Sequence, residues 1–560
     1  MSLRLAGARR LLAPAIFLLL AIFVTWPFAI HPGSTTSAFI GGDVTISIQK
    51  FRLLAEEGIG PFSSGVLRSV GWEQGVQVTP TVDRVSWLNT LFLYGGTLLV
   101  GSIATHGLLA LLGMFLTALF TFLFVAEITG SRTAGFVAGI TYGFFAHMIV
   151  IAWAASTYTW MFLLLLPLYA IWRLAMKPGV KRAVLAGLAY LPALYWTPYY
   201  GEHAGVVAFS SLVVFLFVRA HEDASLGRRL QLAGLVVAPW VLGLGAYVAI
   251  GASSGFTGVP DPPESDHYVQ SSHPLMFLLP STDATIWGDG FNEWLAERVP
   301  RAAGVQLYLG FSALLLALIG FVTSVRRRRT PQGLAALMAA AVGIGCFLCS
   351  LPPRVWDHRI PTPSALILAV EPGLRAGQRF VMPIMGAVAL LAGLGALWAV
   401  RRFARTPLTA GALAAVLGAI VFVDLHMQPP GNWVRIPPPS AALAELRQLP
   451  PGPVLHWHYS GFLPVPAPRA CFMQPQHGKV LVNDCALRLD RNPPLVKWDQ
   501  IPACDAVAEM PSVGVRYIVV DVTRPDVVAC LDARRENRTP NRLVAKDPVL
   551  SVYEFAQVRP

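Results

Sequence analysis

The sequence predicts an α-helical multi-pass membrane protein with about 11 transmembrane helices and a small C-terminal α/β domain. Hydrophobic residues make up 54% of the 560 residues, whereas charged residues make up only 13%. The charged share is about half of the ~25% that is usual in soluble globular proteins. Long apolar runs fill residues 11–425, and the charged residues are concentrated in short loops and in the C-terminal part. Because an apolar core of this length is unusual in a soluble chain, the predicted environment is a membrane.

The first apolar run, 11–30, follows three arginines near the N-terminus. It lacks a small-residue cleavage site, so we expect a retained span with a cytoplasmic N-terminus rather than a signal peptide. Residues 31–104 are predicted to form a large outer loop. Within this loop, the mixed apolar and charged segment 44–57 is typical of an amphipathic helix on the membrane surface. The Gly-rich stretch 88–104 is apolar but short.

Ten further apolar runs are each long enough to cross a hydrocarbon layer of about 30 Å. They are 105–128, 132–152, 157–176, 183–201, 203–219, 229–251, 306–324, 332–351, 378–400 and 407–425. Basic clusters test this count, because cytoplasmic loops are enriched in lysine and arginine. The basic clusters are 177–182, 219–229, 326–329 and 401–405. All four lie on the same side of the membrane as the N-terminus only if 88–104 does not cross it. Eleven crossings would then place the C-terminus outside.

We expect two domains with a boundary near residue 428. Residues 1–427, including the outer loop, form the transmembrane domain, and residues 428–560 form an extracytoplasmic α/β domain after a Pro-rich linker. The tail pattern predicts two helices, at 440–449 with a Ser cap and at 525–534. It also predicts three strands, at 454–458, 515–520 and 549–555.

The six cysteines fall into two groups. Cys346 and Cys349 lie in an apolar run and are expected to be buried thiols. The other four lie in the tail and are Cys471, Cys485, Cys504 and Cys530. They either stay reduced or form two disulfides, for which three pairings are possible. A zinc site in the tail is less favoured, because these four cysteines have no Cys-x-x-Cys spacing.

The net charge of +12 would suggest nucleic-acid binding in a soluble protein. Here the basic residues lie between apolar runs and lack the interleaved aromatic residues of a single-strand groove, so nucleic acid is excluded as a partner. The sequence has no P-loop, G-x-S-x-G, H-E-x-x-H or dinucleotide fingerprint in a suitable context. The common classes of soluble enzyme are therefore excluded as well.

Asp43 is the first candidate catalytic residue. It follows two glycines on the outer side of the first span and directly precedes the amphipathic segment. A carboxylate at the depth of the lipid headgroups can deprotonate a hydroxyl or hold a metal ion. The alternative is that Asp43 caps the following helix. Glu73 and Asp83 are further acidic residues of this loop, and each either binds substrate or is a solvated loop residue.

Glu202 and His203 follow a Tyr-Tyr-Gly sequence at the outer end of a predicted span. They either line a substrate-binding cavity or belong to a capped turn between two spans. His147 lies in the outer half of another span, close to two tryptophans. It is a candidate for substrate binding, although an aromatic belt at the membrane interface explains its tryptophan neighbours without function.

Arg375 and Arg379 stand at the outer end of the span 378–400, where basic residues are unusual. An arginine there can bind a phosphate through bidentate hydrogen bonds or can extend towards lipid headgroups. The outer loop 252–305 carries residues that can hold a divalent metal ion, but their spacing matches no metal-ligand pattern. These residues are Asp261, Glu264, Asp266, His267, His273, Asp283 and Asp289.

Several of these features recur in one order along most of the chain. One span precedes a loop that opens with Gly-Gly-Asp and an amphipathic segment, and the runs 126–134 and 139–144 follow. A Tyr-Tyr-Gly sequence at 199–201, Gln-Arg-Phe at 378–380 and the strand pattern 514–520 come later. This layout resembles the GT-C class of membrane glycosyltransferases, and within it the bacterial YfhO-like or dolichyl-phosphate-mannose-mannosyltransferase-like proteins.

The resemblance implies a transferase of the bacterial inner membrane that takes a sugar from a polyprenyl-phosphate donor on the outer leaflet. Its acceptor would be a glycan, lipid or protein of the envelope. In that family an acidic residue of the first outer loop acts as a base on the acceptor hydroxyl, and Asp43 is the matching position. A basic residue near the donor phosphate corresponds to Arg379. The family often has an Asp-Asp or Asp-Glu pair in this loop, whereas Val44 follows Asp43 here.

Two other functions are open from the sequence. A transporter or flippase of lipid-linked sugars would need inverted repeats or charged residues at mid-membrane, and the sequence shows neither. A catalytically inactive scaffold would use the tail to recruit envelope partners.

Overall fold

The computed structural model describes most of the chain. The exceptions are residues 1, 38–42, 72–73, 79, 219–224, 254–263, 281–306, 356–359, 371–375, 427–432, 436–439, 458–472, 484–501, 522–523, 537–540 and 556–560. The chain folds into two compact units, each built from segments that are distant in sequence. The first unit comprises Met1–Ile30, Arg84–Thr90 and Gly107–Gly431, and the second comprises His31–Asp83, Leu91–His106 and Asn432–Pro560.

The first unit is almost entirely helical, as the apolar runs predict. Its α-helices are Ser2–Val24, Arg132–Gly143, Ala146–Ala154, Phe162–Met176, Val180–Leu188, Leu191–Leu194, Pro198–Phe217, Leu226–Ser253, Glu264–Val269, Phe311–Val325, Pro331–Ser350, Pro363–Val370, Val381–Phe403 and Pro407–Leu425. Its 3₁₀ turns are Phe28–Ile30, Ser156–Thr159, Pro274–Phe277 and Gly377–Phe380, and its one described hairpin pairs Arg354–Val355 with Ile360–Pro361. Three helices contain residues of both units: Thr81–Val85, Trp87–Val100 and Ser102–Thr129.

Many of these helices are suited to a bilayer. Among the described residues, seven helices are long and apolar enough to cross a membrane, and the number is eight if the bent pair that begins at Arg132 is one span. Three further apolar helices are shorter: Leu11–Val24, Trp87–Val100 and Phe311–Val325. The predicted class of multi-pass helical membrane protein is confirmed. The orientation of the spans stays a prediction.

Two predicted spans differ from the structure. The span 183–201 is not one helix, because the helix that starts at Val180 ends at Leu188, a short helix follows at Leu191–Leu194, and a new helix begins at Pro198. Thr197 sets this start: its side chain accepts a hydrogen bond from the Tyr200 amide at 3.2 Å, and proline at the first helical position needs no amide partner. The span 132–152 is bent by 52° between its two helical parts.

Helix Val381–Phe403 is the centre of the first unit and is buried along nearly its whole length. Glycines let its neighbour Phe311–Val325 approach closely. A Cβ atom on Gly320 would lie 2.0 Å from the Leu391 carbonyl oxygen, and one on Gly395 would lie 2.0 Å from the Leu316 carbonyl oxygen. Backbone contact through small residues is a common way for helices to associate in membranes, where no hydrophobic effect drives them together.

A buried carboxylate caps the start of helix Phe311–Val325. Asp424 Oδ2 accepts hydrogen bonds from the Ser312 amide at 2.7 Å and from its hydroxyl at 2.6 Å, while Oδ1 accepts one from the Tyr308 hydroxyl at 2.7 Å. A negative group at a helix N-terminus satisfies free amides and is favoured by the helix dipole. Asp424 is a buried acid that the sequence analysis did not single out, and these partners give it a structural role.

The second unit joins the first outer loop to the tail. Its strands are Thr35–Ser37, Gly65–Leu67, Val76–Val78, Trp433–Arg435, Val454–Trp457, Tyr517–Asp521, Asn541–Lys546 and Leu550–Phe555. Its helices are Asp43–Glu56, Ala441–Gln448, Ala503–Glu509, Met510–Val513 (3₁₀) and Pro525–Glu536. Strand Thr35–Ser37 pairs antiparallel with Trp433–Arg435 across the length of the chain.

The tail contains the predicted α/β fold. Four strands form one sheet in the order Val454–Trp457, Tyr517–Asp521, Leu550–Phe555, Asn541–Lys546, with the first pair parallel and the others antiparallel. The buried strand predicted at 515–520 lies in the middle of this sheet. The predicted Ser cap is also present, because the Ser440 hydroxyl accepts from the Leu443 amide at 3.4 Å.

The structure describes four of the six cysteines. Cys504 and Cys530 form a disulfide between two helices of the tail. Cys346 and Cys349 are buried free thiols. Cys471 and Cys485 lie outside the described residues. Disulfides persist in oxidising compartments, which agrees with the expectation that the tail lies outside the cytoplasm.

Residues 473–483, here called the bridging segment, connect the first loop to the tail sheet. On the loop side, the Gln474 amide oxygen accepts from Arg52 at 2.8 Å, and its Nε2 donates to the Ser69 carbonyl at 2.9 Å. The Gly71 amide donates to the Asn483 carbonyl at 3.0 Å. Because Arg52 lies on helix Asp43–Glu56, the bridging segment holds the helix that begins at Asp43.

On the tail side, the bridging segment is tied to strand Val454–Trp457. The Asn483 side chain exchanges hydrogen bonds with the backbone of His456, at 3.0 and 3.2 Å. The Nε2 atoms of His456 and His477 lie 2.9 Å apart, and both residues are buried. His477 Nδ1 accepts from the Lys479 amide at 3.1 Å, so the proton of neutral His477 is on Nε2 and is donated to His456.

This histidine pair makes the second unit sensitive to acid. Burial, and to a lesser degree the charge of Lys479, lower the pKa of His477 from 6.5 to about 3. The folded unit therefore keeps His477 neutral between pH 6.5 and 3, whereas the unfolded chain binds a proton there. The stabilisation is complete above pH 6.5 and is lost as the pH falls towards 3.

We expect the free energy of unfolding of this unit to fall by about 2 kcal/mol between pH 7.5 and pH 5. Hydrogen exchange of the Val454–Trp457 amides, corrected for the intrinsic pH effect, measures it in the full-length protein. His477→Gln keeps an acceptor for the Lys479 amide but cannot titrate, so its dependence on pH should be much flatter. Equal slopes in the two proteins would contradict the assignment to His477.

Candidate functional site

Arg379 is held in a tyrosine cage at one end of the first unit. Its Nη1 donates to the Tyr158 hydroxyl at 2.9 Å. The guanidinium carbon lies 4.5 Å from the ring centroid of Tyr158 and 4.3 Å from that of Tyr199. Both distances are within the ~6 Å range of a cation–π interaction. The two rings are inclined at 62° to each other, so they contact the guanidinium from two directions and, with the Tyr158 hydroxyl, restrain it. A guanidinium matches the geometry of carboxylate and phosphate groups.

The cage comes from three separate turns. Arg379 lies in the 3₁₀ turn Gly377–Phe380, Tyr158 in the 3₁₀ turn Ser156–Thr159, and Tyr199 in the first turn of helix Pro198–Phe217. Tyr200 links two of them, since its hydroxyl donates to the Tyr158 carbonyl at 2.6 Å. Sequence analysis missed the partners of Arg379. The Tyr-Tyr-Gly sequence was a signal, but Tyr158 is distant along the chain and only folding brings it there.

Glu202 and His203 lie beside this cage. They belong to the helix Pro198–Phe217, so the predicted turn between two spans is wrong. Within the described residues, the half-buried Glu202 carboxyl has no hydrogen-bond partner, and neither does either ring nitrogen of the fully buried His203. The His203 ring packs on Phe380 with centroids 4.3 Å apart. Arg379 is close enough to act electrostatically on both residues.

His147 belongs to the same unit, in the second half of the bent helix pair. It is buried, and its ring lies 6.2 Å from that of Phe145. It lies close enough to His203 for the two residues to influence each other electrostatically. The structure thus brings four of the predicted site residues into one neighbourhood: Arg379, Glu202, His203 and His147.

A small recess of about 20 Å³ opens next to Glu202. Its polar lining consists of Glu202, His267, Ser271, Cys349 and Ser364. Its apolar lining includes Phe380, which directly follows Arg379 in the chain. The start of helix Pro198–Phe217, the end of helix Pro331–Ser350 and the segments 267–271, 351–367 and 377–380 therefore meet at this recess.

The recess and the cage lie at the helix ends opposite the basic clusters. Helix Val381–Phe403 starts at Phe380 and ends with Arg401 and Arg402. Helix Pro331–Ser350 follows the basic block 326–329 and ends beside Cys349, a recess residue. The site thus lies at the ends of these two helices that are opposite their basic residues.

The other predicted site residues lie elsewhere or outside the described residues. Asp83 belongs to the second unit and is buried, with its carboxylate 2.5 Å from Lys50 Nζ, so it is not a solvated loop residue. This ion pair holds helix Asp43–Glu56 from a second side. Asp43 is the first residue of that helix, a position compatible with both capping and catalysis. Glu73 and Arg375 lie outside the described residues.

A divalent metal ion was an open alternative for the loop 252–305. Of the seven residues named for it, the structure describes the side chains of His267 and His273. Throughout the described part of the chain, no three histidine, cysteine, aspartate or glutamate side chains come together as a metal site would require. Metal ligands stay unassigned.

Comparisons with known proteins identify the fold. No protein-family model and no curated protein sequence matches the chain. ArnT from Cupriavidus metallidurans bound to undecaprenyl phosphate is similar in structure, with a TM-score of 0.51 and 14% identity over 96% of this chain and 97% of that one. ArnT in the apo state has a TM-score of 0.49 and 14% identity over 98% of each chain.

A more distant structure is the archaeal oligosaccharyltransferase AglB from Archaeoglobus fulgidus in complex with an inhibitory peptide and a dolichol-phosphate. It has a TM-score of 0.46 and 12% identity over 93% of this chain and 72% of that one. The ArnT complex shares its fold with this chain over nearly the full length of both. The predicted GT-C fold is therefore confirmed.

Proposed function

We propose that this multi-pass membrane protein with the GT-C fold is a glycosyltransferase that takes its sugar from a polyprenyl-phosphate donor. The acceptor is a hydroxyl or amide group of an envelope glycan, lipid or protein, on the outer leaflet of a bacterial inner membrane. The undecaprenyl phosphate bound to ArnT, which has the same fold, supports the donor class. The tail disulfide and the position of the site opposite the basic clusters support the outer side.

In the proposed reaction, the nucleophilic atom of the acceptor forms a bond to the anomeric carbon of the sugar. The bond between that carbon and the phosphate oxygen breaks, and its electron pair leaves with the polyprenyl phosphate. The acceptor loses a proton to a general base, for which we propose Asp43. The leaving group gains negative charge as the bond breaks, so a fixed cation beside it lowers the barrier.

The observation that carries this proposal is the Arg379 cage. A guanidinium at the outer end of a span, oriented by Tyr158 and Tyr199, is suited to bind a phosphate whose lipid tail stays in the membrane. A flexible arginine that only reaches towards headgroups would not need contacts with two tyrosine rings and a hydrogen bond to one of them. Arg375, if it is nearby, would add a second positive charge, and this stays a prediction.

Replacing Arg379 with methionine should lower kcat/KM for sugar transfer by about 10²-fold, because one preorganised group opposite the developing charge is lost. The assay uses the purified protein in lipid nanodiscs, undecaprenyl phosphate linked to radiolabelled hexose or pentose, and envelope extract as acceptor. Released undecaprenyl phosphate and labelled product are both measured.

Arg173→Met is the matched control. Arg173 also hydrogen-bonds a tyrosine hydroxyl, that of Tyr169 at 3.1 Å, and lies over its ring at 5.6 Å, but in the last turn of helix Phe162–Met176, next to the basic cluster 177–182. Its transfer rate should stay within about twofold of wild type. The proposal fails if wild-type protein transfers no sugar from any of these donors, or if Arg379→Met transfers as fast as Arg173→Met.

A further inference from the structure

The turn that carries Tyr158 is tied on one side to helix Ser102–Thr129. The Leu109 carbonyl of this helix accepts two hydrogen bonds at 3.1 Å, one from Trp160 Nε1 and one from the Thr159 hydroxyl. Both donors belong to the turn or directly follow it. The side chain of Tyr158 therefore starts from a backbone that is fixed to a long membrane helix.

The turn and this helix are in direct backbone contact. A Cβ atom on Gly113 would lie 2.0 Å from Thr159 Oγ1 and 2.8 Å from the Thr159 carbonyl carbon, so only glycine fits there. One helical turn further on, the Thr117 hydroxyl donates to the Thr159 carbonyl and accepts from the Phe162 amide, each at 3.1 Å. The turn thus has no space to move towards the helix.

Two aromatic side chains hold the turn from another part of the chain. Trp196 Nε1 donates to the Thr157 carbonyl at 2.7 Å, and the Tyr200 hydroxyl donates to the Tyr158 carbonyl at 2.6 Å. The Trp196 ring also stacks on that of Trp160, with centroids 4.6 Å apart and planes inclined at 22°. Trp196 and Tyr200 are fully buried, so water cannot replace their donors to these two successive carbonyls.

These contacts arise where the predicted span 183–201 is broken. Trp196 lies between the end of helix Leu191–Leu194 and the start of helix Pro198–Phe217, and Tyr200 lies in the first turn of the latter. The break is therefore the place where this part of the chain meets the turn of Tyr158.

The position of Tyr158 in turn determines how Arg379 is held. The Tyr158 hydroxyl accepts from Arg379 Nη1 at 2.9 Å, and its ring centroid lies 4.5 Å from the guanidinium carbon. The second ring of the cage, Tyr199, directly precedes Tyr200 in the chain. Hydrogen bonds and cation–π contacts weaken with distance and misalignment, so a displaced turn would release the guanidinium.

We infer that Trp196 and Tyr200 are positioning residues: they hold the turn of Tyr158 so that its hydroxyl and ring orient Arg379 towards the lipid phosphate. Both act through Arg379 and are assigned no contact with substrate. Their effect on the reaction rests on the proposed function, whereas their effect on Tyr158 does not.

Trp196→Phe and Tyr200→Phe each remove one donor and keep an aromatic ring. Each should lower kcat/KM for sugar transfer by about 10-fold, because a loosened guanidinium loses part of the ~10²-fold that Arg379 supplies. In the Arg379→Met background, each should change transfer by less than about twofold, because residues that act through one group are not additive. The transfer assay in nanodiscs measures both.

Trp172→Phe is the matched control. Trp172 is also a buried tryptophan whose Nε1 donates to a backbone carbonyl, that of Pro331 at 3.2 Å, but near the end of helix Phe162–Met176. This variant should transfer sugar within about twofold of wild type. General destabilisation would explain the losses, and the inference would be overturned, if Trp172→Phe matches Trp196→Phe or if Trp196→Phe costs as much without Arg379.

A second measurement does not depend on sugar transfer. Fluorine NMR of the full-length protein with fluorotyrosine in place of Tyr158 should show a shifted signal in Arg379→Met, because the guanidinium leaves the ring. Trp196→Phe and Tyr200→Phe should shift or broaden the signal, and Trp172→Phe should leave it unchanged. A wild-type signal in both Trp196→Phe and Tyr200→Phe overturns the inference.

The two measurements separate failure of this inference from failure of the proposed function. If wild-type protein transfers no sugar, the proposed function fails and the role of Trp196 and Tyr200 in the reaction fails with it. The fluorine signals then still decide whether these two residues hold Tyr158 in place.

Discussion

Asp43→Asn is expected to lower the rate of sugar transfer by about 10³-fold in a protein that is otherwise folded. General base catalysis contributes roughly 10²- to 10⁴-fold, and asparagine cannot accept the acceptor's proton. Single-turnover transfer from a labelled undecaprenyl-phosphate sugar measures the effect without interference from product release. Binding of bare undecaprenyl phosphate should not change.

Asparagine also separates the two roles that the sequence left open for Asp43. Asparagine caps helices about as well as aspartate does, so a residue that only capped helix Asp43–Glu56 would lose nothing. Full activity of Asp43→Asn would therefore remove Asp43 from the mechanism. Asp43→Ala, which loses both the cap and the carboxylate, should lower activity and stability together.

Gln474→Ala is expected to lower transfer by about 10²-fold, although Gln474 is assigned no contact with substrate. The substitution removes the acceptor of Arg52 and a donor to the Ser69 carbonyl, at a cost of about 2–4 kcal/mol in the second unit. Helix Asp43–Glu56 then loses one of its two described side anchors, the other being the Lys50–Asp83 pair. Displacing a catalytic group by about 1 Å can cost ~10²-fold in rate.

Three measurements test whether Gln474 acts by positioning helix Asp43–Glu56. The kcat value should fall, binding of bare undecaprenyl phosphate should stay unchanged, and exchange of the Gly71 and Leu481 amides should accelerate. Gln448→Ala is the matched control, because Gln448 is an exposed glutamine of the tail. If Gln474→Ala keeps both the wild-type kcat and the wild-type hydrogen exchange of the Gly71 and Leu481 amides, the bridging segment does not hold helix Asp43–Glu56 in place.

The predictable parts of the fold are those that depend on local pattern. Apolar runs predicted most of the membrane helices, and short local patterns in the tail predicted the Ser440 cap and three of the four strands of its sheet, because burial and capping depend on neighbouring residues. The strand Asn541–Lys546 was not predicted. The break before Pro198 was missed although Pro192 and Pro198 were visible, because the surrounding apolar residues suited one continuous span. The joining of the first loop to the tail was also missed, since strand pairing across most of the chain has no local signal.

In the candidate site, too, single residues could be predicted from local sequence, whereas their contacts could not. Arg379 stood out because a basic residue at an outer helix end is unusual, and Glu202 stood out because acids are rare next to apolar segments. Their surroundings could not be predicted: Tyr158, Phe380 and the recess come from turns far apart in sequence. Asp83 had the same sequence signal as Glu202, but the structure gives it Lys50 as a partner, and only the fold distinguishes a paired acid from an unpaired one.

The pairing of Thr35–Ser37 with Trp433–Arg435 has a consequence for biosynthesis. The partner strand emerges from the ribosome about 400 residues later, which at ~5–20 residues per second is an interval of about 20 s or more. During that time the first loop lacks the partners of its strand, of Ser69 and of Gly71. The first loop can therefore complete its pairing only after the tail has been synthesised, and a fragment that stops before Trp433 lacks the partner strand.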